Sequence, residues 1–187
     1  MSKYILASGS PRRKQLLEWA ELDFEIIVSD TDESFPFFLS PAEASIHVSK
    51  EKAIAVQQLV DRDKIIIAAD TIVVLQEQII GKPQDREDAI DILSKLNGAV
   101  HEVITGVTIL SAGKEITFHD QTKVEFHHLT ANQISYYVDK YEPYDKAGAY
   151  AIQEWIGVVG IKSIQGDFYN VMGLPVSRVL QALAQFS

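Results

Sequence analysis

The sequence predicts an α/β domain whose sheet is mixed, and three observations carry that prediction. Strand-like apolar runs alternate with helix-period segments along most of the chain. Two pairs of strand-like runs flank short turn signals, Ser111-Ala112-Gly113-Lys114 and Gln165-Gly166-Asp167, which imply antiparallel hairpins. With 187 residues, 47% of them hydrophobic, the chain is long enough to bury one substantial core. Alternation alone would give a parallel sheet; the hairpins make it mixed. No repeat, low-complexity tract or Pro/Gly linker divides the sequence, so a single domain over residues 1–187 is expected.

The elements follow in order. Lys3–Ala7 is a short apolar strand that runs into Ser8-Gly9-Ser10-Pro11. Ser10 suits an N-cap and Pro11 the first helical position, opening a helix over about 12–20 with Leu16, Leu17 and Ala20 on one face. Phe24–Val28 reads as a second strand, and the acidic then aromatic stretch Ser29–Leu39 as a loop. Ser40-Pro41-Ala42-Glu43 is a capping box that starts a helix reaching about Asp61. Ile65–Leu75 is the most buried-looking strand, answered by Ile79-Ile80 across a short turn. Asp85–Leu96 is amphipathic through Ala89, Ile92, Leu93 and Leu96, and Gly98 is placed to stop it. Val100–Leu110 and Glu115–His127 form the first hairpin, and Thr130-Ala131-Asn132-Gln133 caps a helix to about Lys140. Trp155–Ile164 and Phe168–Met172 read as the second hairpin, before a closing amphipathic helix over Pro175–Phe186.

Composition removes several classes of function. There are no cysteines, so disulfides, thiolate zinc sites and cysteine nucleophiles are all excluded. The N-terminus lacks the apolar region of a signal peptide. The longest uninterrupted apolar run, Ile65–Ala69, falls far short of the roughly 20 residues that span a bilayer. A soluble cytoplasmic protein is expected, with no membrane partner. The net charge of −9 argues against nucleic acid, which calls for a basic face. It does not exclude one small anionic ligand, because charges beyond about 8 Å are screened at physiological salt.

Four segments are candidates for chemistry. Ser8-Gly9-Ser10-Pro11-Arg12-Arg13 lies between a strand and a helix, where unpaired N–H groups, hydroxyls and two guanidinium groups suit phosphate. A capped helix with solvated arginines would read the same way locally, and neither a P-loop nor a G-x-G-x-x-G run occurs. Asp70 interrupts the apolar strand and is followed by Thr71; a carboxylate in such a strand is paired, metal-bound or at a functional site. Glu33 in its acidic loop, Lys52 at the border of an apolar helix face and Lys82 at a strand end are each weak alone. The stretch 142–153 mixes small, aromatic and polar residues, and the Gln153 amide can read a base edge in two directions. The five histidines show no metal spacing; His127 and His128, taken as strand residues, would face opposite ways. Phe35, Phe37 and Phe38 read most simply as a satellite core, with a lid or a dimer contact as the alternatives.

Together these segments resemble the Maf family of nucleoside triphosphate pyrophosphatases. The resemblance is carried by Leu6-Ala7-Ser8-Gly9-Ser10-Pro11-Arg12-Arg13 with Leu16-Leu17, then Glu33, Lys52, Ala69-Asp70-Thr71 and Gly81-Lys82-Pro83. It continues through Asp145-Lys146-Ala147-Gly148-Ala149-Tyr150, Gln153 and Val171-Met172-Gly173-Leu174-Pro175. It implies an elongated mixed sheet flanked by helices, two lobes with a cleft in a Maf/ITPase-like architecture, and hydrolysis of a nucleoside triphosphate between its α and β phosphates. It also implies a divalent cation, Mg²⁺ or Mn²⁺, with Glu33 and Asp70 as its candidate ligands, and a homodimer as a family-level expectation. Arg12, Thr71 and Gln153 match the positions that mark the branch acting on dTTP and UTP, as against 7-methyl-GTP; modified pyrimidine nucleotides are a secondary expectation. Glu154 stands where many relatives carry glycine.

On this resemblance Asp70 is the expected general base, and Ser8, Arg12, Arg13, Lys52 and Lys82 are the expected phosphate ligands. Two other classes stay open. A non-catalytic nucleotide-binding regulator of septum formation would use the same residues without turnover. A phosphatase would release orthophosphate, although the D-x-D pattern of aspartyl-phosphate enzymes is absent around Asp70.

Overall fold

The computed structural model describes residues 3–186; Met1, Ser2 and Ser187, at the ends of the expected 1–187 domain, lie outside them. In chain order the elements are β1 (Tyr4–Leu6), α1 (Pro11–Trp19), β2 (Phe24–Ile26), α2 (Pro41–Gln57), β3 (Ile65–Leu75), β4 (Gln78–Ile80) and α3 (Arg86–Leu96). There follow β5 (Val100–Ser111), β6 (Lys114–Phe126), α4 (Ala131–Tyr141), α5 (Trp155–Gly160), β7 (Ile161–Gln165), α6 (Phe168–Met172) and α7 (Val176–Leu183). Hydrogen bonding orders the strands β2-β1-β3-β5-β6-β7, with β4 paired to β3. This is the mixed sheet that the sequence predicts. Among the described residues no helix is long and apolar enough to cross a membrane.

The described residues resolve into two compact units: 3–71, 105–120 and 173–186 form the first, and Ile72–Ile104 with Gln121–Met172 the second. Strands β3, β5 and β6 contribute residues to both.

In the first unit β1 lies parallel to β2 and to the start of β3, in the registers Tyr4↔Phe24 and Tyr4↔Ile65. Its core gathers Ile5, Ala7, Ile66 and Ala68 from the strands, Ala53 and Val56 from α2, and Leu110 from β5. Helix α2 starts on the predicted box: Ser40 Oγ accepts from the Glu43 amide, and Glu43 Oε2 accepts from the Ser40 amide at 2.9 Å. The inward face of α2 carries small residues for a steric reason. A Cβ on Gly106 of β5 would stand 2.3 Å from the Ser45 carbonyl carbon and 2.4 Å from the Ile46 nitrogen. One turn on, Ser49 Oγ and Thr108 Oγ1 share a buried hydrogen bond of 2.8 Å.

In the second unit β4 returns on β3 through Gln76 and Glu77, both with positive φ, the geometry that a tight hairpin turn demands. Helix α3 is capped by Asp85, whose side chain accepts from the Asp88 amide, and α4 opens on the Thr130–Gln133 box. Arg86 of α3 holds the Asp139 carboxylate of α4 through Nε and Nη2.

The predicted second hairpin does not form. Trp155–Gly160 is helical, the strand is confined to β7 on β6 (Val124↔Ile164), and Phe168–Met172 is a short helix. Strand propensity is a matter of context, and here packing overrides it. A Cβ on Gly157 would lie 1.7 Å from the Ile152 carbonyl oxygen, so this glycine serves a close turn. Asp167 Oδ1 accepts from the Tyr169 amide at 2.7 Å at the start of α6. Strand β6 ends at Phe126, so His127 and His128 follow it as exposed residues. Phe37 and Phe38, read as a satellite core, are instead 96% and 73% exposed.

The Gly106 contact yields a stability prediction. Gly106→Ala overpacks the α2–β5 contact and costs about 1–3 kcal/mol or more, seen as a thermal midpoint several degrees lower. Gly81→Ala, whose Cβ would meet nothing within 4 Å, stays within about 0.5 kcal/mol of the parent in the same melts.

Candidate active site

The first unit brings together most of the residues singled out in the sequence. Asp70 sits in β3 after five fully buried apolar residues, and its side chain is only 16% exposed. A carboxylate placed there needs a partner. Lys52 supplies it from α2, with Nζ 2.8 Å from Asp70 Oδ1. The same Nζ lies 2.8 Å from Glu33 Oε1 in the loop before α2. One ammonium thus joins a strand, a helix and a loop, and two carboxylates share its charge.

Beside this triad lies the end of β1 and the start of α1. Ser10 Oγ accepts from the Arg13 amide at 3.5 Å and caps the helix as its residue type predicts. Arg13 is buried and donates inward: Nε to the Gly173 carbonyl at 2.8 Å, Nη1 to Ser8 Oγ at 3.1 Å, and Nη2 to Thr71 Oγ1 at 3.0 Å. Thr71 Oγ1 also pairs with Thr105 Oγ1 at 2.9 Å. Burial pulls the Arg13 guanidinium below its ordinary value; Asp70 opposes that pull, Arg12 adds to it and Glu33 opposes it. An arginine stays charged through such a pull, so the site holds a fixed positive group next to Asp70. Arg12, the other basic residue of this turn, is half-buried.

Lys82 and Gln153 belong to the second unit. Both are exposed. Lys82 follows Gly81, whose carbonyl accepts from the Gly148 amide at 3.1 Å, so the end of β4 is tied to the 145–150 segment. Gly148 has φ +71, and a Cβ there would press on Val73 Cγ2 at 2.9 Å. The segment is anchored further along by Tyr150, whose hydroxyl meets His101 Nε2 at 2.7 Å inside an aromatic cluster with Phe126. Sequence reading missed Thr105 and Tyr137, because each acts through a partner far away in the chain; His101, read with the other histidines as a structural or surface residue, is buried and structural.

The donor set at Lys52 can be tested against the implied cation. Glu33 and Asp70 offer hard carboxylate oxygens that converge on one positive centre, which suits Mg²⁺ or Mn²⁺ completed by phosphate oxygens. Among the described residues no group of three His, Asp or Glu side chains could hold a metal alone. The residues fit a cation that arrives with a phosphate ligand.

A family model described as Maf-like protein matches residues 3–186. The chain belongs to the Maf-like protein family. It is 54% identical over 179 residues to a dTTP/UTP pyrophosphatase of Cytophaga hutchinsonii, covering 96% of this chain and 82% of that protein. It is 46% identical over 186 residues to a dTTP/UTP pyrophosphatase of Bacillus cereus strain G9842, covering 100% and 96%. Among solved structures, the Ham1 protein of Staphylococcus aureus superposes with a TM-score of 0.55 at 14% identity, covering 97% of each chain. That likeness concerns the fold alone. In this Maf-like chain the family resemblance read from the sequence and the matched family model agree.

The buried His101 makes stability depend on pH. Burial lowers its pKa from 6.5 to about 4, so between those values the unfolded chain binds a proton that the folded chain does not. The stability it protects is whole above about pH 6.5, is lost as pH falls towards about 4, and then levels. The loss is on the order of 3 kcal/mol. Urea unfolding across this window shows the decline in the parent chain and a flatter profile in His101→Gln.

Proposed function

We propose that this chain is a nucleoside triphosphate pyrophosphatase that hydrolyses dTTP and UTP to the nucleoside monophosphate and pyrophosphate. The observation that carries the reading is the strand carboxylate Asp70, held 2.8 Å from the Lys52 ammonium and within electrostatic reach of buried Arg13. A nearly buried carboxylate held by one ammonium, close to a buried guanidinium, is fixed in one orientation, as a general base must be. Relatives named dTTP/UTP pyrophosphatase, at 54% and 46% identity over nearly the whole chain, support the substrate class.

In this reading Ser8, Arg12, Lys52 and Lys82 bind the triphosphate and offset the charge that develops on the leaving pyrophosphate. Arg13 adds its charge from behind, while its inward hydrogen bonds hold Ser8 and Thr71 in place. Asp70 takes a proton from the attacking water as the new oxygen–phosphorus bond forms. The bond between the α and β phosphates breaks, and its electron pair leaves with pyrophosphate. Glu33 and Asp70 would hold the divalent cation, which supplies charge neutralisation along the phosphates when bound. Arg12, Thr71 and Gln153 are the specificity residues of this reading, and Thr71 is held by the hydrogen bond that it accepts from Arg13.

The test separates reaction classes. Incubation with dTTP, UTP and 7-methyl-GTP in the presence of Mg²⁺ is expected to give pyrophosphate from the first two and little orthophosphate. Asp70→Asn is expected to slow release by about 10²–10⁴-fold while nucleotide binding persists. A loss within about tenfold, worth only ~1.4 kcal/mol, means that Asp70 is not the base. Binding without any release identifies a nucleotide-binding regulator instead.

A further inference from the structure

Gln153 is exposed, yet residues on both sides of it are fastened to one buried phenol, Ala151 by its backbone amide and Glu154 by its carboxylate. Tyr137 of α4 is 0% exposed and stacks on Tyr141 at 5.0 Å between ring centres. Its hydroxyl accepts from the Ala151 amide at 3.1 Å and donates to Glu154 Oε2 in a short hydrogen bond. A hydroxyl has one proton to give, so accepting from the amide and donating to the carboxylate use it in complementary senses. The other oxygen of Glu154 lies 3.7 Å from Lys146 Nζ, a buried ammonium that also pairs with Asp145 Oδ1 at 2.7 Å. The Glu154 amide closes the turn by donating to the Ala151 carbonyl at 3.1 Å. Residues 151 and 154 are therefore pinned to the same point on α4, and Gln153 is carried on the loop between them.

We propose that Glu154 and Tyr137 are positioning residues that hold the Gln153 loop in one register and thereby set discrimination between keto and amino pyrimidines. The inference deepens the pyrophosphatase reading, and rests on it, through the role given to Gln153. The chemistry follows from the amide. Uracil and thymine present a carbonyl acceptor where cytosine presents an amino donor, and a Gln side chain can satisfy either by exchanging its oxygen and nitrogen ends. An amide on a loose loop adapts to both bases. An amide carried between two anchored neighbours meets one pattern well and leaves the other with an unpaired polar group, which is how a site rejects an isostere. Glycine at position 154 would remove the carboxylate and with it the tie to Tyr137 and Lys146.

The test compares UTP with CTP in the full-length protein. Glu154→Ala and Tyr137→Phe are each expected to narrow the UTP/CTP ratio of kcat/KM by about threefold or more. The change should fall chiefly on KM for UTP, leaving kcat within about twofold. Glu154→Gln keeps an acceptor for the Tyr137 hydroxyl and should restore most of the ratio. Gln153→Ala should narrow the ratio as well, and adding Glu154→Ala to it should change little more, because the two act through one amide. A ratio unmoved in both Glu154→Ala and Tyr137→Phe overturns the proposal. So does a fall in kcat with the ratio intact, which would mark a merely structural role. Calorimetric binding of non-hydrolysable UTP and CTP analogues repeats the comparison without turnover. If the parent chain releases no pyrophosphate, the functional reading fails and the binding ratios alone decide this one.

Discussion

The position of the Lys52 ammonium is the constraint on which the candidate site depends. Without it, Asp70 on β3 and Glu33 in the loop before α2 would be two carboxylates close together, one of them nearly buried. Breaking a buried pair by removing one partner typically costs about 3–5 kcal/mol, because the remaining charge keeps its desolvation cost. Glu33 is half-exposed, so solvent reduces its share, and the Asp70–Lys52 contact dominates. The same contact ties α2 to β3 at the level of the core formed by Ala53, Val56, Ile66 and Ala68. Packing and charge pairing therefore set the same distance, which keeps the carboxylate aimed.

Arg13 performs the corresponding task at the start of α1. A helix N-terminus already carries partial positive charge, and a buried guanidinium there would be costly without acceptors. It finds three: a carbonyl at the Gly173 turn, the Ser8 hydroxyl, and the Thr71 hydroxyl one residue from Asp70. Strand ends and loops distant in sequence are thus drawn to one side chain. The net charge of −9 gains a clearer meaning in this light. The surplus is a total over the chain, whereas the Lys52 ammonium meets Asp70 at 2.8 Å, a distance at which screening by salt is weak.

Much of this was legible beforehand, for identifiable reasons. Ser10-Pro11, the Ser40–Glu43 box and the Thr130–Gln133 box are local devices, complete within four residues, and the structure uses each as read. Asp70 stood out because a charge in an apolar strand is costly wherever that strand is placed. Lys52 and Glu33 did not stand out locally, since a lysine at the edge of a helix face and a glutamate in an acidic loop most often serve solubility. Only the family resemblance drew them together in the sequence, and the geometry shows the shared ammonium. The aromatic loop at Phe37 and Phe38 was misread because apolar composition does not say what is available to cover a ring.

The sequence by itself determined which segments become helices and strands wherever caps, periodicity and turns act over a few residues. It also determined the chemistry on offer: carboxylates, arginines, lysines and amides, without thiols or histidine clusters. The tertiary structure decided the rest. It made Trp155–Gly160 a helix despite strand-like residues, because Gly157 permits an approach to the Ile152 carbonyl that no side chain would allow. It also decided which charges meet, placing Lys52 on Asp70 and Glu154 on Tyr137. Caps and periods are short-range and written in neighbouring residues; ion pairs and burial depend on distances that only the folded chain fixes.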